Sequence, residues 1–133
     1  MSDTRRLTLT APISVGELFD KITILRIKYS RIEDPIKLSN VLHELSVLEE
    51  VAAQFQGHDN LHDEVQALLG VNQTLWDIED DIRACERGKA FGEQFIQLAR
   101  SVYIHNDQRA RIKRRINNLC GSSLLEEKNY ASY

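Results

Sequence analysis

Two prolines and six glycines in 133 residues leave little to break regular structure, which excludes a collagen-like or low-complexity chain. Cysteine is equally scarce. Cys85 and Cys120 lie far apart with no ligand spacing around them, so neither a disulfide framework nor a structural zinc site is expected. No apolar run approaches the ~20 residues that span a bilayer, and Met1–Arg6 precedes no apolar signal core, so the expectation is a cytoplasmic protein with no membrane segment. A glycine-rich phosphate loop, a nucleophile elbow and a cysteine–histidine pair are all missing, and no cofactor is expected. Seventeen basic against twenty acidic residues give a net charge of -3, with no global attraction for nucleic acid.

What is present is helical periodicity, in 42% hydrophobic and 28% charged residues. Ser14-Val15-Gly16-Glu17 has the form of a capping box, with Ile13 and Leu18 placed for a hydrophobic staple. A helix then follows through Leu18, Ile22, Leu25, Tyr29 and Ile32, and Val15, Phe19, Ile24 and Ile27 widen its stripe so that more than one side is buried. Asp34-Pro35 opens a second helix through Leu38, Val41, Leu45, Leu48, Ala52 and Phe55 to Gly57. A third runs from an Asp59 cap to Gly88, with Gly70 a point where it can bend or split. A fourth runs from about Phe91 to Gly121. The fold class expected is all-α, an antiparallel four-helix, bundle-like arrangement of two helical hairpins in one domain, residues 1–133.

The ends carry two further expectations. Leu7-Thr8-Leu9-Thr10-Ala11 alternates with period two, so residues 1–13 read as an extended arm lying on the bundle or pairing with its copy in a dimer. Ser123-Leu124-Leu125-Glu126 repeats the capping-box pattern, so the tail, residues 122–133, reads as a short docked helix. Helices 3 and 4 approach ~30 residues each and helices 1 and 2 nearer 20, so part of the longer, coiled-coil-like hairpin is left for a second subunit to cover. A homodimer is expected.

Chemistry is sought where polar residues interrupt the apolar stripe. Folding helices 3 and 4 about Gly88-Lys89 sets Asn72 opposite Asn106, Glu79 near Arg100 and Leu75 near Tyr103. Helix 4 carries His105, Asn106 and Arg109 where apolar residues are due, with Lys113 one turn on, and Asp20 of helix 1 can join this layer. Either the layer is a register-fixing polar network, or Asn72, Glu79, Arg100, Tyr103, Asn106, Arg109, Lys113 and Asp20 line a site for an anionic small molecule. No catalytic residue is singled out. The basic run Arg111, Arg114 and Arg115 falls on the outer side of helix 4 without an aromatic platform, which argues against nucleic acid. His58 and His62 lack the glutamate of the zinc-protease motif, and no metal is expected. The acid spacings Glu17–Asp20 and Asp77-Ile78-Glu79-Asp80 are similar to those of helical magnesium-dependent nucleotide hydrolases, without their set of four acids. Leu18-Phe19-Asp20 with Leu25-Arg26 echoes Leu75-Trp76-Asp77 with Ile82-Arg83, as a duplicated hairpin or shared amphipathic periodicity would.

Gly16-Glu17-Leu18-Phe19-Asp20-Lys21-Ile22-Thr23-Ile24-Leu25, Leu75–Arg83, Val102-Tyr103 with Asn106-Asp107 and Arg109-Ala110, and Ile116-Asn117, Gly121-Ser122 and Glu126-Glu127-Lys128 together resemble a family of small bacterial proteins known as a domain of unknown function. The resemblance covers most of the chain and implies a bacterial, helical, cytoplasmic protein without assigning an activity. The leading functional expectation is a noncatalytic interaction or scaffold homodimer with a possible protein partner. The rival is an enzyme or binder of an anionic metabolite using the polar layer.

Overall fold

The computed structural model describes residues 6–133. Its regular elements are α1 (Val15–Arg31), α2 (Pro35–Ala52), a 3-10 turn (Ala53–Phe55), α3 (Leu61–Arg87) and α4 (Glu93–Cys120), with no strand among the described residues. The Ser14 hydroxyl accepts from the Glu17 amide at 3.0 Å and starts α1, while the Glu17 carboxylate turns away to Lys113, so only half of the expected capping box forms. Asp34 caps α2 through the Ile36 amide, and Pro35 occupies the first turn, where its missing N–H costs nothing. Asn60, in the left-handed region at φ 66°, is the residue that precedes α3, one place after the expected Asp59. The third helix passes through Gly70 without a break. Lys89 rather than Gly88 takes the left-handed conformation in the turn to α4, and Gly121 takes it at the end of α4, where glycine adopts it without the backbone strain of a residue with a Cβ.

One core holds the four helices together. Leu18, Phe19, Ile22 and Leu25 of α1 pack with Val41 and Leu45 of α2, Leu61, Val65 and Leu68 of α3, and Ile112 and Ile116 of α4. Burial spreads round α1, which also hides Gly16, Asp20, Thr23 and Ile27, because its neighbours come from all three other helices. At 27 and 28 residues, α3 and α4 are about 40 Å long, against about 26 Å for the 17 and 18 residues of α1 and α2. The overhanging face is less apolar than expected: Glu79 and Arg83 pair with each other in solvent where the core stripe of α3 would continue.

Two expectations about the ends need correction. The tail after Gly121 has no helix; Glu126, cast as its capping-box acid, instead reaches back to Ser14 and Asn117, which hold its carboxylate more firmly than a one-turn helix would. Leu7 and Leu9 are 83% and 82% exposed, so the arm does not bury its alternating leucines on its own bundle. Residues 1–5 of that arm lie outside the described residues.

Candidate functional site

Asp20 sits at the centre of the polar interior. It is 1% exposed, in a helix whose neighbouring Phe19 and Ile22 belong to the core. A carboxylate placed there needs compensation, because burial disfavours its charged form. Compensation arrives from two helices. Asn72 of α3 donates to Asp20 Oδ1 and to the Thr23 hydroxyl, both at 3.0 Å. Arg109 of α4 forks onto the carboxylate, with Nε donating to Oδ1 at 2.8 Å and Nη2 donating to Oδ2. Burial pushes the Asp20 carboxyl up, but the bonds from Arg109 and Asn72 and the charges of Arg109 and Lys113 outweigh it and hold the group below the usual aspartate value. The same pairing raises the Arg109 guanidinium, chiefly through its bond to Asp20.

One turn along, Lys113 donates to Glu17 Oε2 at 2.6 Å, and its ammonium lies 3.9 Å from Asp20 Oδ2. A further turn brings α1 and α4 into backbone proximity. The Gly16 amide donates to Asn117 Oδ1 at 2.6 Å, and a Cβ on residue 16 would stand 2.6 Å from the Lys113 carbonyl oxygen. Only glycine permits that approach. Asn117 in turn donates through Nδ2 to Glu126 at 3.2 Å, and Ser14 donates to the other oxygen of the same carboxylate. Burial raises Glu126, yet the bonds from Ser14, its own backbone amide and Asn117, with the Lys113 charge, bring it below the usual glutamate value. Two groups of polar contacts thus stand on successive turns, Asn72, Asp20, Arg109, Lys113 and Glu17 in one, and the Gly16 amide, Asn117, Glu126 and Ser14 in the other, which reaches the tail. Among the described residues every buried side-chain polar atom has a partner.

The tail completes a cleft of about 500 Å³. Asn106, Arg109, Lys113, Arg114 and Asn117 of α4 form one wall, and Glu126, Lys128 and Tyr130 stand on the other. Lys128 holds the tail to Asp107 at 2.6 Å, and Tyr133 packs its ring against Tyr103 with centroids 5.0 Å apart. Asp107 is held below the usual value by its bonds to Lys128 and then to Tyr133. A larger cleft of about 760 Å³ opens beside Phe19, Phe55, His58 and His62. Its charged pair, Arg26 with Glu49, lies in solvent, so that cleft lacks a charged group fixed from behind.

The expected site residues divide accordingly. Asp20, Asn72, Arg109 and Lys113 meet in one network, with Asn106 at its edge, 3.5 Å from Arg109 Nη1. Asn72 does not face Asn106, because its side chain turns toward α1. Glu79 is bonded to Arg83 and Arg100 to Gln97, both in solvent, so their expected pairing is absent. The two helices do meet side by side, since Arg115 of α4 donates to Glu64 of α3 at 2.9 Å. Their rotation differs, because the polar stripe of α3 faces α1 below the overhang and water above it. Tyr103 belongs to the tail contact. Gly16, Glu17, Asn117 and Glu126 belong to the site and were missed; the detectable signal was an asparagine placed between the core positions Ile116 and Leu119.

A family model described as a family of unknown function (DUF6165) matches residues 9–133. The chain belongs to that family. Comparisons with curated proteins and with solved structures gave no match. No helix of the described residues is long and apolar enough to cross a membrane.

Proposed function

We propose that the α4–tail cleft binds a small polar molecule through an anionic group seated on Arg109 and Lys113. The observation that carries this reading is the way both cations are held from behind. Asp20 takes Nε and Nη2 of Arg109, and Glu17 takes one proton of Lys113, so each side chain is fixed at the cleft wall, with Arg109 Nη1 making only a long bond of 3.5 Å to Asn106 and Lys113 keeping further protons. Side chains immobilised in this way lose little entropy when a ligand arrives. The volume, about 500 Å³, falls within the range of small-molecule sites. The test is a titration with sodium acetate and with inorganic phosphate against sodium chloride at matched ionic strength, read from the side-chain amide signals of Asn106 and Asn117. Saturable shifts at these two residues that weaken at least tenfold in Lys113→Met support the reading. Shifts no larger than those in chloride refute it.

A second reading, a homodimeric scaffold, rests on surface area. The chain exposes 9650 Å², whereas a compact chain of 15.3 kDa exposes about 7,100 Å². The arm leucines and Ile36, Val47 and Val51 on the outer side of α2 contribute apolar area to that surplus. A standard interface removes about 800 Å² per partner, so a second copy is readily accommodated. Light scattering that finds a monomer at 100 µM would refute it. The pairs Phe19 with Phe55 and Arg26 with Glu49 support an antiparallel α1–α2 hairpin, and the shared core supports reading residues 1–133 as one domain.

A further inference from the structure

The two walls of the α4–tail cleft differ in chemistry, and that difference narrows the ligand. Resting on the anion-site reading, we infer that the cleft takes a small carboxylic acid whose flat ring lies against Tyr130. The α4 wall supplies charged donors from Arg109 and Lys113, with an amide from Asn106. The tail wall supplies an aromatic face. Tyr130 is 83% exposed and lines the cleft, and the Lys128 ammonium lies over one side of its ring, 5.4 Å from the centroid, so most of the ring is left uncovered. A planar group stacking there would cover that face while its acid end reaches α4.

The anion seat is local to Arg109 and Lys113, and the charge balance of the whole cleft caps the ligand at one negative charge. Arg109, Lys113, Arg114 and Lys128 line the cleft, and Asp20, Glu17, Glu127 and Asp107 respectively hold them. With Glu126 on the tail wall, five carboxylates stand against four cations. A dianionic phosphate would meet this near-balanced set at twice the repulsion of a carboxylate, and a polyphosphate would fare worse. A carboxylate needs only two donors, and Arg109 Nη1 with Lys113 can provide them. The tail is therefore a wall of the site as well as a clasp: the contacts of Glu126, Glu127 and Lys128 hold Tyr130 within reach of α4.

The experiment compares four probes by calorimetry and amide shifts: benzoate, acetate, benzyl alcohol and inorganic phosphate. Benzoate is expected to bind about tenfold more tightly than acetate or benzyl alcohol, and more tightly than phosphate. Tyr130→Ala, a change at an exposed side chain, should bring benzoate down to the acetate level and leave acetate unchanged. Equal binding of benzoate and acetate, tighter binding of phosphate, or a Tyr130→Ala variant that still prefers benzoate would overturn this inference while leaving the anion site standing. If none of the anions registers at Asn106 and Asn117, the anion-site reading falls, and this inference with it.

Discussion

Replacing Asp20 by asparagine tests the centre of the network with almost no change of shape. The amide keeps one oxygen for Asn72 or Arg109, but the charge that balances Arg109 is gone. Removing one member of a buried ion pair costs ~3–5 kcal/mol. The Arg109 side chain is 31% exposed, so water takes over part of the lost solvation and about 2–3 kcal/mol is the expected cost at pH 7. For 133 residues the unfolding entropy near the midpoint is ~0.28 kcal/mol/K, so this corresponds to a fall in Tm of about 7–11 °C. The pH dependence gives a sharper test. The Asp20 carboxyl is lowered from its ordinary 3.8 in the folded chain, so the unfolded state binds its proton first as pH falls. The stabilisation is fully present above about pH 4 and is lost as pH drops through the folded value. The variant's amide cannot titrate, so the gap between wild type and Asp20→Asn must close over that acid window. Urea unfolding followed by far-UV circular dichroism at pH 7, 5, 4 and 3 measures it. A gap below about 1 kcal/mol at pH 7, or one that stays constant down to pH 3, would refute the assignment of Asp20 as an ionised, network-bound group.

Gly16→Ala should destabilise by about 1–3 kcal/mol in the same urea assay, because the added Cβ meets the Lys113 carbonyl at 2.6 Å and backbone must move. Asn117→Ala leaves the Gly16 amide without its acceptor and Glu126 with one donor fewer, for a loss of ~1–3 kcal/mol; it should also speed proteolysis of the tail after Gly121. Glu79→Ala and Arg100→Ala, both in solvent, should each stay within ~0.5 kcal/mol of wild type in thermal unfolding and leave acetate binding unchanged.

The four helices were legible because their boundaries are written in local chemistry. Ser14, Asp34-Pro35 and Gly121 each act over one turn, and the three-four spacing of Leu18, Ile22 and Leu25 needs no partner to be seen. The site was half legible. Asp20, Asn72 and Arg109 announce themselves as polar residues in apolar stripes, but which of them meet depends on how each helix is rotated. Leu68 and Asn72 lie one turn apart on α3, and the stripe they share faces α1; no pattern within α3 distinguishes that from a stripe facing α4. The tail was misread for a related reason. Ser123–Glu126 satisfies a local capping pattern, yet Glu126 has stronger donors in Ser14 and Asn117, 112 and 9 residues away in sequence. Local rules lose when a distant partner offers a charge-assisted bond in a drier place.

Complete satisfaction of the network does not by itself make it structural. A register device needs partners on the helices it aligns, and Asn72, Asp20 and Arg109 already provide that for α1, α3 and α4. Lys113, Asn117 and Glu126 extend the polar contacts beyond what alignment requires, along the wall of a cleft that closes only because Glu126, Lys128 and Tyr133 bring an otherwise structureless tail back onto α4. Ordering those residues costs backbone entropy of ~1–2 kcal/mol each, and exposed pairs such as Arg114 with Glu127 return less than that. The part-buried bonds of Glu126 and the Tyr103–Tyr133 contact are the tail's main attachments, so its docking is sensitive to anything that adds contacts across the cleft. A ligand bridging Arg109 and Tyr130 adds them, which couples occupancy of the site to protection of the tail.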